Sequence, residues 1–401
     1  MPTPRGSANR IVTTDRETTW SGLADIGRTP VTAVLAWSHR DALEAVWSHR
    51  GGEVETLVVS AGRVDDVQRG ELRADGFTIV DGDNVETPTA SRSATPGRVW
   101  LLTSGTTGRP KRVGHTLETL TTVTTPQPPR TWLLPYSPGT YAWWQLVTLS
   151  LSQPGQDLVC VEPDELDRWP ERASREGVTA VSATPTFWRQ ALWSSGPALR
   201  ELQLAQVTLG GEPVDQAVLN SLRETFPGAR ISWIYASSEA GASIAVHDGL
   251  AGFPQAWLSE ARPGRPVLRV EGEELVIESP HHGAGLAGVI RTGDRVTIAD
   301  GRVHIVGRLA GDEINVGGSK VSAATVRDVL QTHPAVAWAS VRGRRAPIVG
   351  TIVAADVVLS RQVDEDELVA HCQRSLPDYA VPRRFRFLDE IPVKETLKSD
   401  V

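Results

Sequence analysis

Sulphur is scarce in this 401-residue chain, which contains two cysteines and one methionine. Cys160 and Cys372 lie far apart and outside any C-x-x-C pattern, so we expect neither a disulfide framework nor a zinc site, as in a reducing compartment. Long apolar runs are also missing, because the longest, YAWWQLVTLSL (141–151), is shorter than the roughly 20 residues that span a bilayer. The first ten residues lack the apolar segment of a secretory signal. These absences predict a cytoplasmic protein without membrane contact.

Positive charge is in deficit, because 41 lysines and arginines stand against 48 aspartates and glutamates, a formal net charge of −7. Binding to nucleic acid in general needs a clustered positive surface. The two basic clusters, at 341–347 and 383–387, are short, so we expect no nucleic-acid partner. The 40% hydrophobic and 22% charged residues are ordinary for a globular chain, and the length suits one large domain with a smaller one.

Apolar strand patterns alternate with helical patterns over the first two thirds of the chain. VTAVLAW (31–37) and ETLVVS (55–60) flank a helical segment, which predicts a parallel strand pair, whereas the polar stretch 81–97 predicts a loop. Several later strands run into Gly/Ser/Thr loops, which indicates a ligand crevice at the carboxyl ends of parallel strands. From about residue 265 the pattern predicts antiparallel hairpins, one turned at 300–301, followed by a small α+β unit.

The stretch TSGTTGRPK (103–111) concentrates small residues and hydroxyls before Lys111. Backbone N–H groups that a loop leaves free, together with hydroxyls and a lysine, suit a polyphosphate. A flexible turn explains the same composition equally well. The glycine and lysine spacing differs from the G-x-x-x-x-G-K-[ST] nucleotide-binding motif, and the residues after Lys111 favour a strand over a helix.

Six motifs in a fixed order decide between these interpretations by resemblance. They are TSGTTGRPK (103–111), GGEP (210–213), YASSE (235–239), RTGD (291–294), GR (307–308) with INVGGSKV (314–321), and LPDYAVPRRF (376–385). In this order they resemble the adenylate-forming superfamily of acyl- and aryl-CoA ligases, adenylation domains and luciferases. The resemblance implies an α/β fold with a large N-terminal domain (1–308) and a small mobile α+β C-terminal domain (309–401). The large domain would hold mainly parallel sheets and a small antiparallel subdomain, with its N-terminal region shortened.

The activity that the resemblance implies is attack of a carboxylic acid on the α-phosphorus of ATP, which gives an acyl-adenylate and pyrophosphate. The acyl group would then pass to coenzyme A. Such a site needs fixed donors and a metal ion more than a protein nucleophile. By resemblance, Glu239 is both catalytic and the Mg²⁺ ligand, and Lys111 and Lys398 are catalytic.

The lysine assignment at the C-terminus depends on spacing within the resemblance. Lys398 follows Pro392 by six residues, as in the family's P-x-x-x-x-G-K motif, although Leu397 replaces the glycine. Lys394 is a nearby competitor. The hinge segment that follows Arg308 is one residue longer than usual, and either Asp312 or Gly311 could serve as its hinge residue.

The remaining site residues that the resemblance implies surround the nucleotide and the acid. Asp294 would accept both ribose hydroxyls, Arg308 would lie at the hinge near the ribose, and Tyr235 would flank the base. The implied ATP-binding residues are Ser104, Thr106, Thr107, Gly108, Lys111, Gly211, Glu212, Pro213, Tyr235, Ser238, Asp294 and Arg308. The implied acid pocket consists of Tyr136, Trp143, Phe187, Trp188 and Gly210.

Two features of the pocket sequence bear on the acid. LPYSPGTYAWWQL (134–146) has no acidic residue to pair with a substrate ammonium, which disfavours α-amino acids. Bulky rings beside glycine favour a flat aryl or arylacrylic acid, whereas tryptophans that fill the pocket would leave room only for a short aliphatic acid. Trp143 and Trp144 are neighbours on a predicted helix, so we expect one to face the pocket and the other the core.

Three alternatives to a coenzyme A ligase stay open. The acceptor could be the phosphopantetheine of a carrier protein acting in trans, since both acceptors present the same thiol. Another nucleophile could take the acyl group. A degenerate nucleotide-binding module is the third alternative, which the altered hinge and Leu397 favour and which the retention of Lys111, Glu239, Asp294 and Arg308 disfavours.

Overall fold

The computed structural model of the protein describes residues 4–26, 29–103, 111–261, 264–309, 311–346, 350–394 and 396–399. No helix in these ranges combines the length and apolar character needed to cross a membrane. The helices are α1 (His39–His49), α2 (Asp66–Ala74), α3 (Leu117–Leu120), α4 (Tyr141–Ser152), α5 (Trp169–Arg175), α6 (Pro185–Ser194), α7 (Gly196–Glu201), α8 (Gln216–Thr225), α9 (Ala323–Gln331) and α10 (Glu365–Gln373).

The strands belong to five sheets, and they follow one another along the chain with short connections. They are β1 (Arg10–Val12), β2 (Glu17–Thr19), β3 (Val31–Ala36), β4 (Glu55–Ser60), β5 (Thr78–Asp81), β6 (Asn84–Glu86), β7 (Val99–Thr103), β8 (Lys111–His115), β9 (Arg130–Leu134), β10 (Gln156–Cys160), β11 (Ala180–Ala183), β12 (Gln206–Gly210), β13 (Arg230–Ser237), β14 (Gly241–Val246), β15 (Phe253–Pro254), β16 (Val267–Glu271), β17 (Glu274–Glu278), β18 (Val289–Ala299), β19 (Arg302–Arg308), β20 (Glu313–Val316), β21 (Ser319–Ser322), β22 (Val336–Ala346), β23 (Gly350–Leu359) and β24 (Arg384–Leu388).

A six-stranded sheet in the order β6-β5-β3-β4-β7-β8 contains the first β-α-β unit. The predicted parallel pairing is confirmed, with Val31 opposite Glu55. Every residue of β3 is buried, as expected of a central parallel strand that is covered on both faces. The predicted loop at 81–97 is wrong in part, because β6 forms an antiparallel hairpin with β5. Its two-residue turn has Gly82 at a φ of +57°, so a local Gly-Asp turn signal was hidden within a polar stretch.

The second sheet has eight strands in the order β14-β13-β12-β11-β9-β10-β1-β2. Its central pairs from β10 through β9, β11 and β12 to β13 are all parallel. Their carboxyl ends therefore meet at one edge, where the Gly/Ser/Thr loops follow β11, β12 and β13. This arrangement positions the candidate site.

An antiparallel sheet in the order β15-β19-β18-β17-β16 closes the large part of the molecule. The predicted hairpin between β18 and β19 turns at Asp300 and Gly301, whose φ values are +52° and +72°. Two successive left-handed residues are the signature of the turns that match strand twist. The sheet brings β18 and β19 beside the end of β13.

The C-terminal elements form a small α+β unit with a core of its own. Sheets β20-β21 and β22-β23-β24 pack with α9 and α10 around buried side chains such as Val326, Val357 and Leu368. Arg189 of α6 joins this unit to the large part. Its guanidinium donates to Asp215 Oδ2 at 2.5 Å and also to Gln331 Oε1 at 3.1 Å and the Ala337 carbonyl at 3.3 Å. The predicted fold class is confirmed, as a mixed α/β protein with an antiparallel sheet and a small C-terminal domain.

One buried carboxylate fixes the strand that leads into the 103–111 stretch. Glu55, at the start of β4, is fully buried and accepts hydrogen bonds from the Arg92 guanidinium (2.5 and 2.7 Å), the Thr95 N–H (2.7 Å) and the Trp100 indole (2.7 Å). Burial alone would raise the pKa of Glu55, but the donors, led by Arg92, bring that pKa below its usual value of 4.5. The charged form therefore stabilises the fold.

We predict that Glu55→Gln lowers the free energy of unfolding by about 2–3 kcal/mol at pH 7, since Arg92 loses its charged partner but stays partly solvated. A depressed carboxyl pKa stabilises above the unfolded pKa, and that contribution is lost as the pH falls through the folded value. The difference between wild type and variant should therefore shrink below about pH 4.5. Urea unfolding from pH 7 to 3 measures it, with the exposed Glu53→Gln as control. A difference that does not change with pH would contradict this account.

Candidate active site

The candidate site lies where β11, β12 and β13 end, under one edge of the antiparallel sheet. Gly211 follows β12 with a φ of +84°, a left-handed conformation that favours glycine. A methyl group built there would lie 3.4 Å from Cε and 3.9 Å from Nζ of Lys398. The Lys398 side chain of the C-terminal segment therefore lies directly beside the Gly211 backbone.

The Glu212 carboxylate connects two distant parts of the chain. Its Oε2 accepts a hydrogen bond from the Thr186 N–H at the start of α6, at 3.0 Å. Its Oε1 accepts one from the Ser399 N–H, also at 3.0 Å. Charge-assisted hydrogen bonds of this kind are stronger than neutral ones, so Glu212 holds the C-terminal segment against the crevice.

The C-terminal segment itself forms a tight loop that presents Lys398. The Lys394 N–H donates to the Lys398 carbonyl at 2.7 Å, and the Leu397 N–H donates to the Lys394 carbonyl at 2.8 Å. The Thr184 hydroxyl donates to the Leu397 carbonyl. Both candidate lysines are exposed, and it is Lys398 that the structure brings next to Gly211.

The charge of Lys398 is sensitive to its surroundings. Displacement of water by protein atoms lowers the pKa of its ammonium from the usual 10.5. The Glu212 carboxylate opposes this shift, and the positive charges of Arg308 and Arg63 add to it. A polyphosphate placed among these three cations would offset their mutual repulsion.

The ribose position implied for Asp294 is built from two strands and the end of β13. The Asp294 carboxylate on β18 is buried, accepts a hydrogen bond from the Tyr235 hydroxyl at 2.5 Å and pairs with the Arg308 guanidinium at 3.1 Å. Burial raises the pKa of Asp294, while Tyr235 and Arg308 oppose the rise. Tyr235 and Arg308, both predicted to lie near the nucleotide, therefore contact the Asp294 carboxylate. The oxygens of Asp294 keep further lone pairs that can accept hydrogen bonds from ligand hydroxyls.

The turn after β13 carries Ser238 and Glu239, and the His115 side chain binds the backbone of this turn. The His115 Nε2 lies 2.7 Å from the Ser238 carbonyl, which can only accept, so this nitrogen carries the proton. Burial lowers the pKa of His115, which keeps the ring neutral near pH 7. The Tyr141 hydroxyl accepts the Ala242 N–H at 2.8 Å on the other side of the turn. Glu239, which is half-buried, is thus carried on a supported turn.

Part of the predicted phosphate site lies outside the described residues: Ser104, Thr106, Thr107 and Gly108. Lys111 begins β8 as an exposed residue, directly opposite Thr103 at the other end of the stretch. Pro213 is exposed in the turn before α8, which begins at Gln216 with Asp215 as its N-cap.

The aromatic side chains predicted for the acid pocket occupy different environments. The Tyr136 hydroxyl lies 3.3 Å from Ser182 Oγ, and Gly210 is half-buried at the end of β12. Trp188 is fully buried, donates its indole N–H to the Thr208 carbonyl, and packs with Phe187 in a cluster of rings. Trp188 thus packs in the core, and its role in the acid pocket stays a prediction.

The sequence predicts that one of Trp143 and Trp144 faces the acid pocket and the other the core. Both are buried and pack edge to face, with ring centroids 5.1 Å apart. Among the described residues neither indole N–H has a hydrogen-bond partner. Helix α4 therefore buries both rings. The place of Trp143 in the acid pocket stays a prediction.

Sequence reasoning missed two residues that shape the site, Thr184 and His115. Thr184 caps α6 by accepting the Phe187 N–H and also donates to the C-terminal segment. A threonine before Pro185 is a helix-start signal, so the cap could have been found. The contact of His115 with Ser238 joins residues 123 positions apart and leaves no local signal.

Comparison with known proteins places the chain in a family. The model of the AMP-binding enzyme family matches residues 28–288, and that of the AMP-binding enzyme C-terminal domain matches residues 326–398. The first match alone covers more than half of the chain. The chain belongs to the AMP-binding enzyme family, as the resemblance of its motifs predicted.

Individual relatives are more distant. The chain is 30% identical to a 2-succinylbenzoate–CoA ligase of Bacillus mycoides over 240 residues, 54% of this chain and 49% of the relative. It is 27% identical to a peroxisomal trans-cinnamate:CoA ligase of Petunia hybrida over 348 residues, 74% of this chain and 60% of the relative. The chain thus spans about half the length of the curated relatives it matches.

A solved structure of similar fold is the anthranilate CoA ligase AuaEII in complex with anthranoyl-AMP. It superposes with a TM-score of 0.73 at 17% identity, over 98% of this chain and 93% of that one. At this identity the likeness establishes the fold alone.

We predict that Asp294→Asn weakens ATP binding by about 10–100-fold, because a charged acceptor of hydroxyl hydrogen bonds contributes about 1.5–3 kcal/mol. Isothermal titration calorimetry with ATP measures it without any acid present. The control is Glu271→Gln, an exposed carboxylate on β16, two strands from β18 in the same sheet, which should bind ATP as wild type does. Normal ATP affinity in Asp294→Asn, with an unchanged thermal midpoint, would remove this residue from the nucleotide site.

Proposed function

We propose that this protein activates an aryl or arylacrylic carboxylic acid with ATP and transfers the acyl group to coenzyme A. The observation that carries the proposal is the convergence of separate motifs on one crevice. Lys398 lies beside Gly211, its segment is bound by Glu212, and Arg308 pairs with Asp294 there. A degenerate binding module has no need of a lysine held in this way.

In the first half-reaction that we propose, a carboxylate oxygen of the acid bonds to the α-phosphorus of ATP. The bond from that phosphorus to the bridging oxygen breaks, and pyrophosphate leaves with the electron pair. Asp294 would hold the ribose hydroxyls, and the Lys398 ammonium would offset the negative charge on the reacting oxygens. Fixed charges of this kind act where charge develops in the transition state.

Magnesium would join this site through Glu239. Mg²⁺ commonly takes one or two protein carboxylates together with substrate phosphates and water, and a half-buried carboxylate on a supported turn fits that donor set. When bound, the ion would neutralise phosphate charge. The phosphate-binding roles of Ser104, Thr106, Thr107, Gly108 and Lys111 remain part of the proposal.

In the second half-reaction, the coenzyme A sulphur would attack the acyl carbonyl carbon. The bond from that carbon to the phosphate oxygen would break, and AMP would leave. The thiol proton would pass to solvent. We propose that the unit 309–401 rotates about the hinge near Asp312 between the two steps. The phosphopantetheine of a carrier protein presents the same thiol, so a direct acceptor assay distinguishes it from coenzyme A. The two buried cysteines suit the reducing cytoplasm that we propose as the location.

The aryl preference rests on the relatives, which are named for 2-succinylbenzoate and cinnamate, and on rings such as Tyr136 near the crevice. We predict pyrophosphate exchange with benzoate, cinnamate or 2-succinylbenzoate at specificity constants at least tenfold above those of acetate, hexanoate and phenylalanine. Glu239→Gln should abolish exchange without changing the thermal midpoint. A preference for acetate or hexanoate would contradict the aryl pocket, and no exchange with any acid would contradict the proposed function.

We predict that Lys398→Ala slows pyrophosphate exchange by about 10²–10³-fold, the usual effect of losing one preorganised charged donor. It should spare thioester formation from a supplied acyl-adenylate, because the rotation would carry Lys398 out of the crevice. Lys394→Ala is the matched control in the same loop and should change neither step. Equal slowing of both steps in Lys398→Ala would contradict the division of roles.

The pH profile tests the same lysine. Exchange needs the protonated ammonium, whose pKa lies below 10.5, so the rate should fall as the pH rises through that lowered pKa. In Lys398→Arg the guanidinium stays charged across this range, so the alkaline fall should disappear from whatever exchange remains.

A further inference from the structure

Leu397 is the one position of the terminal lysine motif where this chain departs from the family pattern, and the structure gives it an unusual environment. Its φ is +62°, in the left-handed region that glycine adopts freely and that leucine rarely enters. Its side chain is fully buried within the hydrophobic core of the large part of the molecule. A residue of the C-terminal segment therefore inserts its side chain into the other domain.

The backbone around Leu397 is held from both sides as well. The Thr184 hydroxyl binds its carbonyl, and the next residue but one, Ser399, donates its N–H to Glu212. The lysine between them is Lys398. The buried leucine and the two hydrogen-bonding residues thus form three fixed points around the ammonium that we assign to the first half-reaction.

We propose that Leu397 is a positioning residue, an apolar anchor that fixes Lys398 in the crevice and favours the domain arrangement for adenylate formation. This inference rests on the proposed function. Glycine would adopt the backbone conformation without strain but would bury no apolar surface, whereas leucine accepts the strain and gains the burial. A rotation that removes Lys398 from the crevice must also withdraw this side chain from the core.

Loss of the Leu397 side chain should therefore affect the rates of the two half-reactions in opposite directions. A group that contacts only one of two conformations shifts the population towards that conformation. Leu397 contacts the large domain in the arrangement with Lys398 in place, so it should promote adenylate formation and delay the rotation. A leucine that only stabilised the fold would affect both steps alike.

The test uses Leu397→Ala, because alanine keeps the backbone strain and loses most of the buried surface. We expect pyrophosphate exchange to fall about tenfold or more, and thioester formation from a supplied acyl-adenylate to stay the same or become faster. Leu397→Met restores an apolar side chain of similar volume and should recover most of the exchange.

The matched control is Ile391→Ala, in the same terminal segment. Ile391 is also buried, but it packs with Trp338 and Val358 of the small unit. Its truncation should lower the thermal midpoint without a selective effect on exchange. A loss of exchange equal to that of Leu397→Ala would show that any weakening of the segment has this effect, and would overturn the proposal.

A second readout needs no enzymatic activity. Trypsin needs a mobile backbone around the bond after Lys398, and in the crevice that backbone is fixed at Leu397 and Ser399, so release of the segment should speed the cleavage that mass spectrometry follows. We expect cleavage to be at least several-fold faster in Leu397→Ala than in wild type and in Ile391→Ala. Equal cleavage rates in wild type and Leu397→Ala, or equal slowing of both half-reactions in Leu397→Ala, would overturn the anchor. A wild type without exchange would instead refute the proposed function, and cleavage would still decide the anchor.

Discussion

The hydrogen bonds of the Glu212 carboxylate join the parts of the molecule on which the candidate site depends. One oxygen accepts from the first turn of α6 and the other from the C-terminal segment, each at 3.0 Å. Because Glu212 directly follows Gly211, the same short stretch of chain both binds the segment and lies beside the Lys398 side chain. The turn lies at the end of β12 in the parallel sheet, and its Glu212 carboxylate binds Ser399 near the C-terminus.

Electrostatics explains why this crevice suits an anion. Burial lowers the pKa of Lys398, the charges of Arg308 and Arg63 lower it further, and Glu212 opposes the shift, while Asp294 pairs with Arg308. Asp294 is itself buried, with a raised pKa. A nucleotide would present hydroxyls to Asp294 and phosphates to the cations. A bound nucleoside polyphosphate would therefore offset the repulsion among the positive charges of the site.

The sequence predicted what local patterns determine. The parallel pair β3 and β4 and the turn at Asp300-Gly301 follow from alternation and turn chemistry, and both are confirmed. The order of the motifs also predicted which strand ends meet. The hairpin strand β6 was missed because its polar residues resemble a loop, and the structure alone shows that they pair with β5.

Side-chain environments were harder to predict, since they depend on how elements pack. The sequence does not reveal that the Trp188 indole N–H donates to the Thr208 carbonyl of β12. His115 supports the turn that carries Glu239 through a contact between residues far apart in the chain. No periodicity within a single element could reveal either arrangement. The roles of the site residues towards ligands stay predictions for the same reason.

The buried Leu397 bears on how such an enzyme would handle its intermediate. An acyl-adenylate is open to attack by water once the crevice opens, so the time between the two half-reactions matters. In the proposed mechanism, a segment held by a buried leucine, a bound carbonyl and a bound N–H would leave the crevice slowly, because all three contacts would have to break together. Glycine at this position would keep the two hydrogen bonds and lose the apolar contact. The leucine therefore favours retention of the intermediate over rapid exchange between the two arrangements, whichever thiol finally accepts the acyl group.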